Sequence, residues 1–297
     1  MLIKNAITEF LERKTNKLVF GMSGANIEEL YESFSQATLN ITIAKNENNA
    51  VAMAIGAFLK TQKISTIATT SGGALLNTIP MLAEAYTSRL PCLVIAGMPQ
   101  HAQIGLGAFQ ETSGLNNTIN IENLLAPITC KTSLIDDSRS IMQELSDSIE
   151  IALQEKRPAV ILIPSNFWRA EVTQAEIEPQ FIKELESDST QEKVIQSYFS
   201  DLDLTKKDEN LIVYGTEINS ITNSKDLAEL LNMKEIPFMG TPESKGFLNH
   251  SSPYFRGLIG VMESNNALTK IKEAKNIIFI GVKKNLMESF GLSLIHI

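Results

Sequence analysis

The residues of this chain best equipped for chemistry are one carboxylate set among amides, two glycine-bearing turns and a Phe-Gln pair. In "AKNENNAVAMAIGAF" (44–58), Glu47 stands between asparagines and a run of small apolar residues. A carboxylate there, at a strand's carboxyl end, can move a proton or face a bound ligand. Its plainer role is structural, with Asn46 capping a helix and Glu47 favoured by the first-turn dipole. The turns "GMSGAN" (21–26) and "TTSGGALLN" (69–77) contribute Gly21, Gly24, Gly72 and Gly73. Such residues let backbone approach a flat ligand with no Cβ in the way. "GLGAFQET" (105–112) carries Phe109 and Gln110. Each glycine turn alone is what a tight βα connection needs; their joint placement around a single acid points to a site.

Something must bring these segments together. "LNITIA" alternates like a half-buried strand, and Ala50, Val51, Met53, Ala54, Ala57 and Phe58 recur at helical spacing, so Glu47 falls where a strand hands over to a helix over 47–60. The same succession recurs along the chain. A first helix leads to "KLVFGM", then to a helix opening at Asn26 with Glu29 as a capping-box partner. "ISTIATT" leads to a helix over 74–88, and "CLVIAG" to a long polar loop. "CKTSL", a helix across 138–155 and the strand "AVILIP" (159–164) complete the first unit. Alternating strands and helices imply right-handed crossovers and a doubly wound parallel sheet of the α/β class, covered on both faces. In such a sheet, ligands bind at the carboxyl ends of the strands.

The predicted organisation is a first domain over 1–170, an acidic linker over 171–190 and a second, Rossmann-like α/β domain over 191–297. In the second, a helix near 191–203, the strand "LIVYG", a helix over 224–231, "IPFMG" and "NIIFIGV" follow in turn. The ending "SFGLSLIHI" brings no closing strand, so the second domain is expected to be incomplete and the last residues are suspected not to be native.

With 297 residues and 43% hydrophobic content, the chain can bury substantial cores. Its formal charge of −8 offers no basic field to nucleic acid or to anionic membrane, which leaves small molecules and proteins as partners. Cys92 and Cys130 lack metal-ligand spacing and read as buried, reduced thiols. The opening "MLIKNAITEFLERK" is an amphipathic helix interrupted by Glu9 and Glu12, not a secretory signal, and no apolar run reaches membrane-spanning length, so the cytoplasm is the expected compartment.

Taken in order, "NENNAVAMAIG", "TTSGGALLN", "RLPCLVIAGMPQ" and "GAFQET" resemble the pyrimidine-binding domain of thiamine diphosphate enzymes of the acetolactate synthase group, over about residues 1–170. "PESKGFLNHSSPYFRGLIG" resembles that family's central domain. The resemblance implies that Glu47 is the catalytic glutamate that hydrogen-bonds the coenzyme's pyrimidine nitrogen and drives the ring toward its imino tautomer. Burial against Val51 and Met53 would favour the acid's neutral form, and the helix-start dipole its charged form. Met22, Ser23 and Gly24 match a turn on the coenzyme, with Ser23 where the family usually has proline. Thr70 and Asn77 match residues lining the pyrimidine, and Phe109 and Gln110 the pair facing substrate. Without the family, Thr70 and Asn77 could cap a helix and Phe109 could be core.

The implied activity is decarboxylation of a 2-oxo acid followed by carboligation, in a homodimer or homotetramer. Decarboxylases of the pyruvate type carry paired histidines after the fourth strand; here His101 is followed by Ala102, which favours ligation over simple decarboxylation. A non-ligating decarboxylase and a catalytically silent regulatory subunit are the rivals. The diphosphate and Mg²⁺ are expected to be held by a third domain bearing Gly-Asp-Gly, a triplet absent from this sequence, so the chain alone is expected to be inactive. No metal ligand is assigned. A flavin is disfavoured because Gly215-Thr216-Glu217 puts an acid where a pyrophosphate would sit, although Arg157 matches a flavin-contacting arginine.

Overall fold

The computed structural model describes residues 1–173, 209–220, 229, 231–233, 235–259 and 267–282. The chain divides into two compact units, Met1–Glu184 and Leu185–Ile297. The expected linker past 173, the helix near 191–203, most of the helix over 224–231 and the chain's last residues lie outside the described ones.

In the first unit, six strands form one sheet: β1 (Leu18–Gly21), β2 (Asn40–Ile43), β3 (Thr66–Thr70), β4 (Leu93–Met98), β5 (Lys131–Leu134) and β6 (Ala159–Pro164). Their order is β2-β1-β3-β4-β6-β5, and every pairing is parallel. Alternate residues of the central strands enter opposite cores, as a period of two requires. Val19, Ala68, Leu93, Ile95, Ala159 and Ile161 pack against α1 (Ile3–Lys14), α2 (Glu28–Ser35) and α7 (Ile141–Glu155). Phe20, Ile67, Val94, Ala96, Val160 and Leu162 pack against α3 (Glu47–Thr61), α5 (Ile79–Thr87) and α6 (Ile121–Leu125). Strands covered on both faces read as continuous apolar runs, and "CLVIAG" and "AVILIP" do so.

Four expectations are corrected. The helix expected over 74–88 is two pieces, α4 (Gly73–Leu76) and α5, because Pro80 has no N–H for the carbonyl one turn back and its ring opposes continuation. The capping box at Asn26 does not form: α2 begins at Glu28 after an N-cap, Ile27, that has no side-chain cap. Asn26 instead gives its carbonyl to the Trp168 indole (2.9 Å) and its amide to Ser71 (3.1 Å), while Glu29 pairs with Arg169. β2 is an edge strand rather than a half-buried one, with Ile43 62% exposed. Of the two free thiols, Cys92 is buried, whereas Cys130 is half-buried and directed at the Pro158 carbonyl.

The second unit contains a four-stranded parallel sheet of order β10-β7-β8-β9, made of β7 (Asn210–Tyr214), β8 (Phe238–Gly240), β9 (Phe255–Leu258) and β10 (Asn276–Ile280). One described helix, α8 (Ala267–Glu273), precedes β10. β9 was not expected, since "YFRGL" has a glycine interior and its side chains are only half-buried. No described helix is long and apolar enough to cross a membrane.

Candidate coenzyme site

The order β2-β1-β3 reverses direction at β1/β3, and the crevice beyond the carboxyl ends of those strands is where an open α/β sheet binds ligands. The turns after β1 and β3 and the start of α3 all meet there. Asn46 caps α3 by accepting from the Asn49 N–H (2.8 Å), and Glu47 occupies its first turn, so the plain structural role is fulfilled. The same carboxylate also accepts a hydrogen bond from the Asn77 amide at 2.8 Å. Asn77 is free to reach it because it lies in the break between α4 and α5 that Pro80 imposes.

A second pair sits at the end of β3. The Thr70 hydroxyl donates to Gln110 Oε1 at 3.0 Å, so Thr70 does not cap the helix that follows. Glycines allow the close approach. A Cβ on Gly24 would lie 2.7 Å from the Thr70 methyl, and one on Gly72, whose φ is +68°, would lie 2.9 Å from Gln110 Cβ. Gly21 fits beneath the Ala68 carbonyl, which also accepts from Tyr31 Oη at 2.9 Å. Met22 is half-buried and Ser23 exposed on the turn after β1. Phe109 is 73% exposed, which rules out the core role left open for it. Thus Glu47 joins Asn77, and Gly24, Thr70 and Gln110 stack on one another.

Two contributors were not singled out from sequence. Asn48 accepts from the Met81 N–H (3.0 Å), so a residue of α3 satisfies the open N-terminus of α5. Glu111 is almost completely buried and gathers the backbone of the loop before it. Its signal was visible as an acid in a glycine-rich loop. As the second of three asparagines in a polar run, Asn48 carried no distinguishing mark.

In the second unit, the turn after β7 is differently filled. A Cβ on Gly215 would meet the Gly281 carbonyl at 2.3 Å, and the Glu217 N–H donates to that carbonyl (2.9 Å). Arg157 stacks on the Tyr86 ring (3.8 Å) and donates to the Tyr86 carbonyl (2.9 Å).

Residues 1–118 match the thiamine pyrophosphate enzyme N-terminal TPP binding domain, and residues 203–296 match the central domain of the same enzymes. The chain is 26% identical over 280 residues to the acetolactate synthase isozyme 1 large subunit of Escherichia coli, covering 93% of this chain and 48% of that protein. It is 26% identical over 300 residues to the thiamine metabolism regulatory protein THI3 of Saccharomyces cerevisiae, covering 98% and 48%. To the acetolactate synthase large subunit of Lactococcus lactis it is 25% identical over 268 residues, covering 89% and 45%. The chain spans about half the length of the curated relatives it matches.

Proposed function

The chain belongs to the thiamine pyrophosphate enzymes of the acetolactate synthase-like family, and on that premise we propose that its first unit supplies the pyrimidine half of a coenzyme site acting on a 2-oxo acid. The observation that carries this reading is the Glu47–Asn77 pair at the sheet's switch point, beside Thr70 and Gln110. The residues fit a pyrimidine: a carboxylate for a ring nitrogen, an amide and a hydroxyl for its polar edge, and glycine backbone for its flat face. When bound, thiamine diphosphate supplies the carbon nucleophile and electron sink that decarboxylation of a 2-oxo acid requires.

The chain's own residues then have separate tasks. Glu47 holds or releases a proton at its carboxylate, and the Asn77 amide fixes which oxygen faces the ring. Gly24 lies under Thr70, keeping the floor of the site thin. Gln110, held on Thr70, and exposed Phe109 face the substrate, with the Met22–Ser23 turn closing the side near β1. Assembly as a homodimer or homotetramer is proposed from the family resemblance, with exposed Leu106 and Phe109 of the 105–112 loop as residues available to a partner. This chain's residues are given no part in holding magnesium or the diphosphate, which the family resemblance places on a domain bearing Gly-Asp-Gly. Flavin is assigned no role: the Glu217 N–H and the space beside Gly215 are taken up by residues 281–282.

Decarboxylation followed by carboligation is the favoured reaction, because His101 stands without a second histidine beside it; its ring stacks on Phe167. The test is Glu47→Gln in the coenzyme-loaded enzyme with pyruvate as substrate. We expect turnover to fall by at least about a hundredfold with unchanged folding. Acetolactate or acetoin as product supports ligation, aldehyde alone supports simple decarboxylation, and an unchanged rate overturns the assignment. A regulatory module is the second reading, favoured by the match to a thiamine metabolism regulatory protein. It predicts thiamine diphosphate binding that Glu47→Gln weakens, with no turnover of pyruvate even when a diphosphate-binding domain is supplied to the unsubstituted protein.

A further inference from the structure

The loop between β4 and α6 carries Phe109 and Gln110, yet its shape comes from the next residue. Glu111 is only 9% exposed. One of its carboxylate oxygens accepts from the Gly107 N–H (2.7 Å) and the Ala108 N–H (2.8 Å), and the other accepts from the Gly105 N–H and the Ser113 hydroxyl. A single anion thus gathers donors from both sides of the Phe109–Gln110 pair. The backbone between them is not one that relaxes locally: Gly105 (φ +86°), Gly107 (φ +78°) and Gln110 (φ +61°) all lie in the left-handed region, which a glutamine rarely adopts. That conformation persists only where the surroundings determine it. At its far end the loop is seated by Gln110 on Thr70 and against Gly72.

We propose that Glu111 is a positioning residue for Gln110: its buried carboxylate fixes the 105–113 loop in the geometry that lets Gln110 reach Thr70 and the substrate face. The proposal rests on the reading of Gln110 given above. Bonds from backbone N–H groups to an ionised carboxylate are about twice as strong as neutral ones, and Glu111 accepts three of them within this loop. In agreement, the Ser113 hydroxyl and then the backbone N–H groups of Gly105, Ala108 and Gly107 hold the Glu111 carboxyl below the usual range against the opposing effect of burial. Glutamine cannot replace it, because its amide nitrogen would face N–H donors.

Two measurements test this. In the coenzyme-free protein, Glu111→Gln should accelerate amide exchange across 105–113 by about tenfold or more, with the β3 and β4 strand amides unchanged. Glu111→Asp, which keeps the charge but not the reach, should do the same. Unchanged exchange, or acceleration spread evenly over the first unit, overturns the proposal. In the coenzyme-loaded enzyme, Glu111→Gln should lower kcat by about ten- to a hundredfold with little change in KM. Adding it to Gln110→Ala should cost little more, since the two act through one contact. Multiplying effects overturn the positioning role. If exchange responds as expected but Gln110→Ala leaves kinetics unchanged, the loop anchor stands and the substrate-facing reading of Gln110 falls.

Discussion

At the end of β1 and at the end of β7 the chain makes the same move: a central strand runs into a glycine turn beside the strand where the order reverses, β3 in one sheet and β10 in the other. What fills the space differs. Beyond β1 and β3, side chains meet across a gap, with Glu47 against Asn77 and Gln110 on Thr70. Beyond β7 and β10, backbone meets backbone. Gly215 abuts Gly281 and Val282, and the Glu217 N–H is given to the Gly281 carbonyl (2.9 Å). The difference teaches that a parallel sheet's switch point is an opportunity rather than a site; function depends on which groups are left facing outward there.

The strongest way to break this comparison is to put the same methyl into both turns. Gly215→Ala drives a Cβ into the Gly281 backbone at 2.3 Å, whereas Gly24→Ala meets side-chain atoms, the Thr70 methyl at 2.7 Å and the Thr70 Cβ at 3.1 Å. Gly215→Ala should therefore destabilise the second unit by about 1–3 kcal/mol or more, as overpacking against backbone does. Gly24→Ala should cost less stability and instead lengthen the Thr70–Gln110 contact, lowering activity. Amide exchange in 210–214 and 276–280 against that in 18–21 and 66–70 measures the first difference. Equal losses in the two units would show that the turns do not differ as described.

Acid sharpens the contrast with a smaller effect. In the second unit the His250 ring stacks on Phe255 (4.2 Å) and pairs with Tyr214 Oη (3.1 Å); burial, then the Lys245 charge, lower its pKa. The folded state thus favours the neutral ring, so its stabilisation is full above the unfolded value of about 6.5 and declines as pH falls through the folded one. Glu111 is also depressed, so its contribution is full above about 4.3 and declines in stronger acid. Exchange around 238–258 should rise at milder acidity than exchange across 105–113. The reverse order would contradict both environments.

How much of this was legible in sequence follows from the range of the forces involved. The central strands β4 and β6 were readable because burial on both faces demands long apolar runs. Glu47 stood out not as a helix-start acid, a common placement, but because two glycine-bearing turns were predicted to meet beside it. β9 was hidden because its half-buried residues carry no clean period. The break at Pro80 was written in the sequence, but its consequence, an Asn77 side chain turned toward Glu47, depends on α3 and α5 packing side by side. Asn26 looked like a cap by type, yet its carbonyl was claimed by Trp168, which lies 142 residues away in sequence, and no local pattern announces such a partner.

The finest test of the comparison lies in the three asparagines around Glu47. By residue type they are equal, but Asn46 caps its own helix while Asn48 reaches across to the Met81 N–H of α5. Asn46→Ala should lower stability by about 1 kcal/mol, the usual value of an N-cap. Asn48→Ala removes an acceptor of the same kind and should cost a similar or smaller amount. Only the second loosens the joint between the helix bearing Glu47 and the one that begins just after Asn77. If the open switch point works because side chains meet across it, Asn48→Ala should weaken coenzyme binding more than Asn46→Ala at matched stability, read by titration beside thermal unfolding. Equal affinities for the two variants would mean that the α3–α5 joint is held by apolar packing alone.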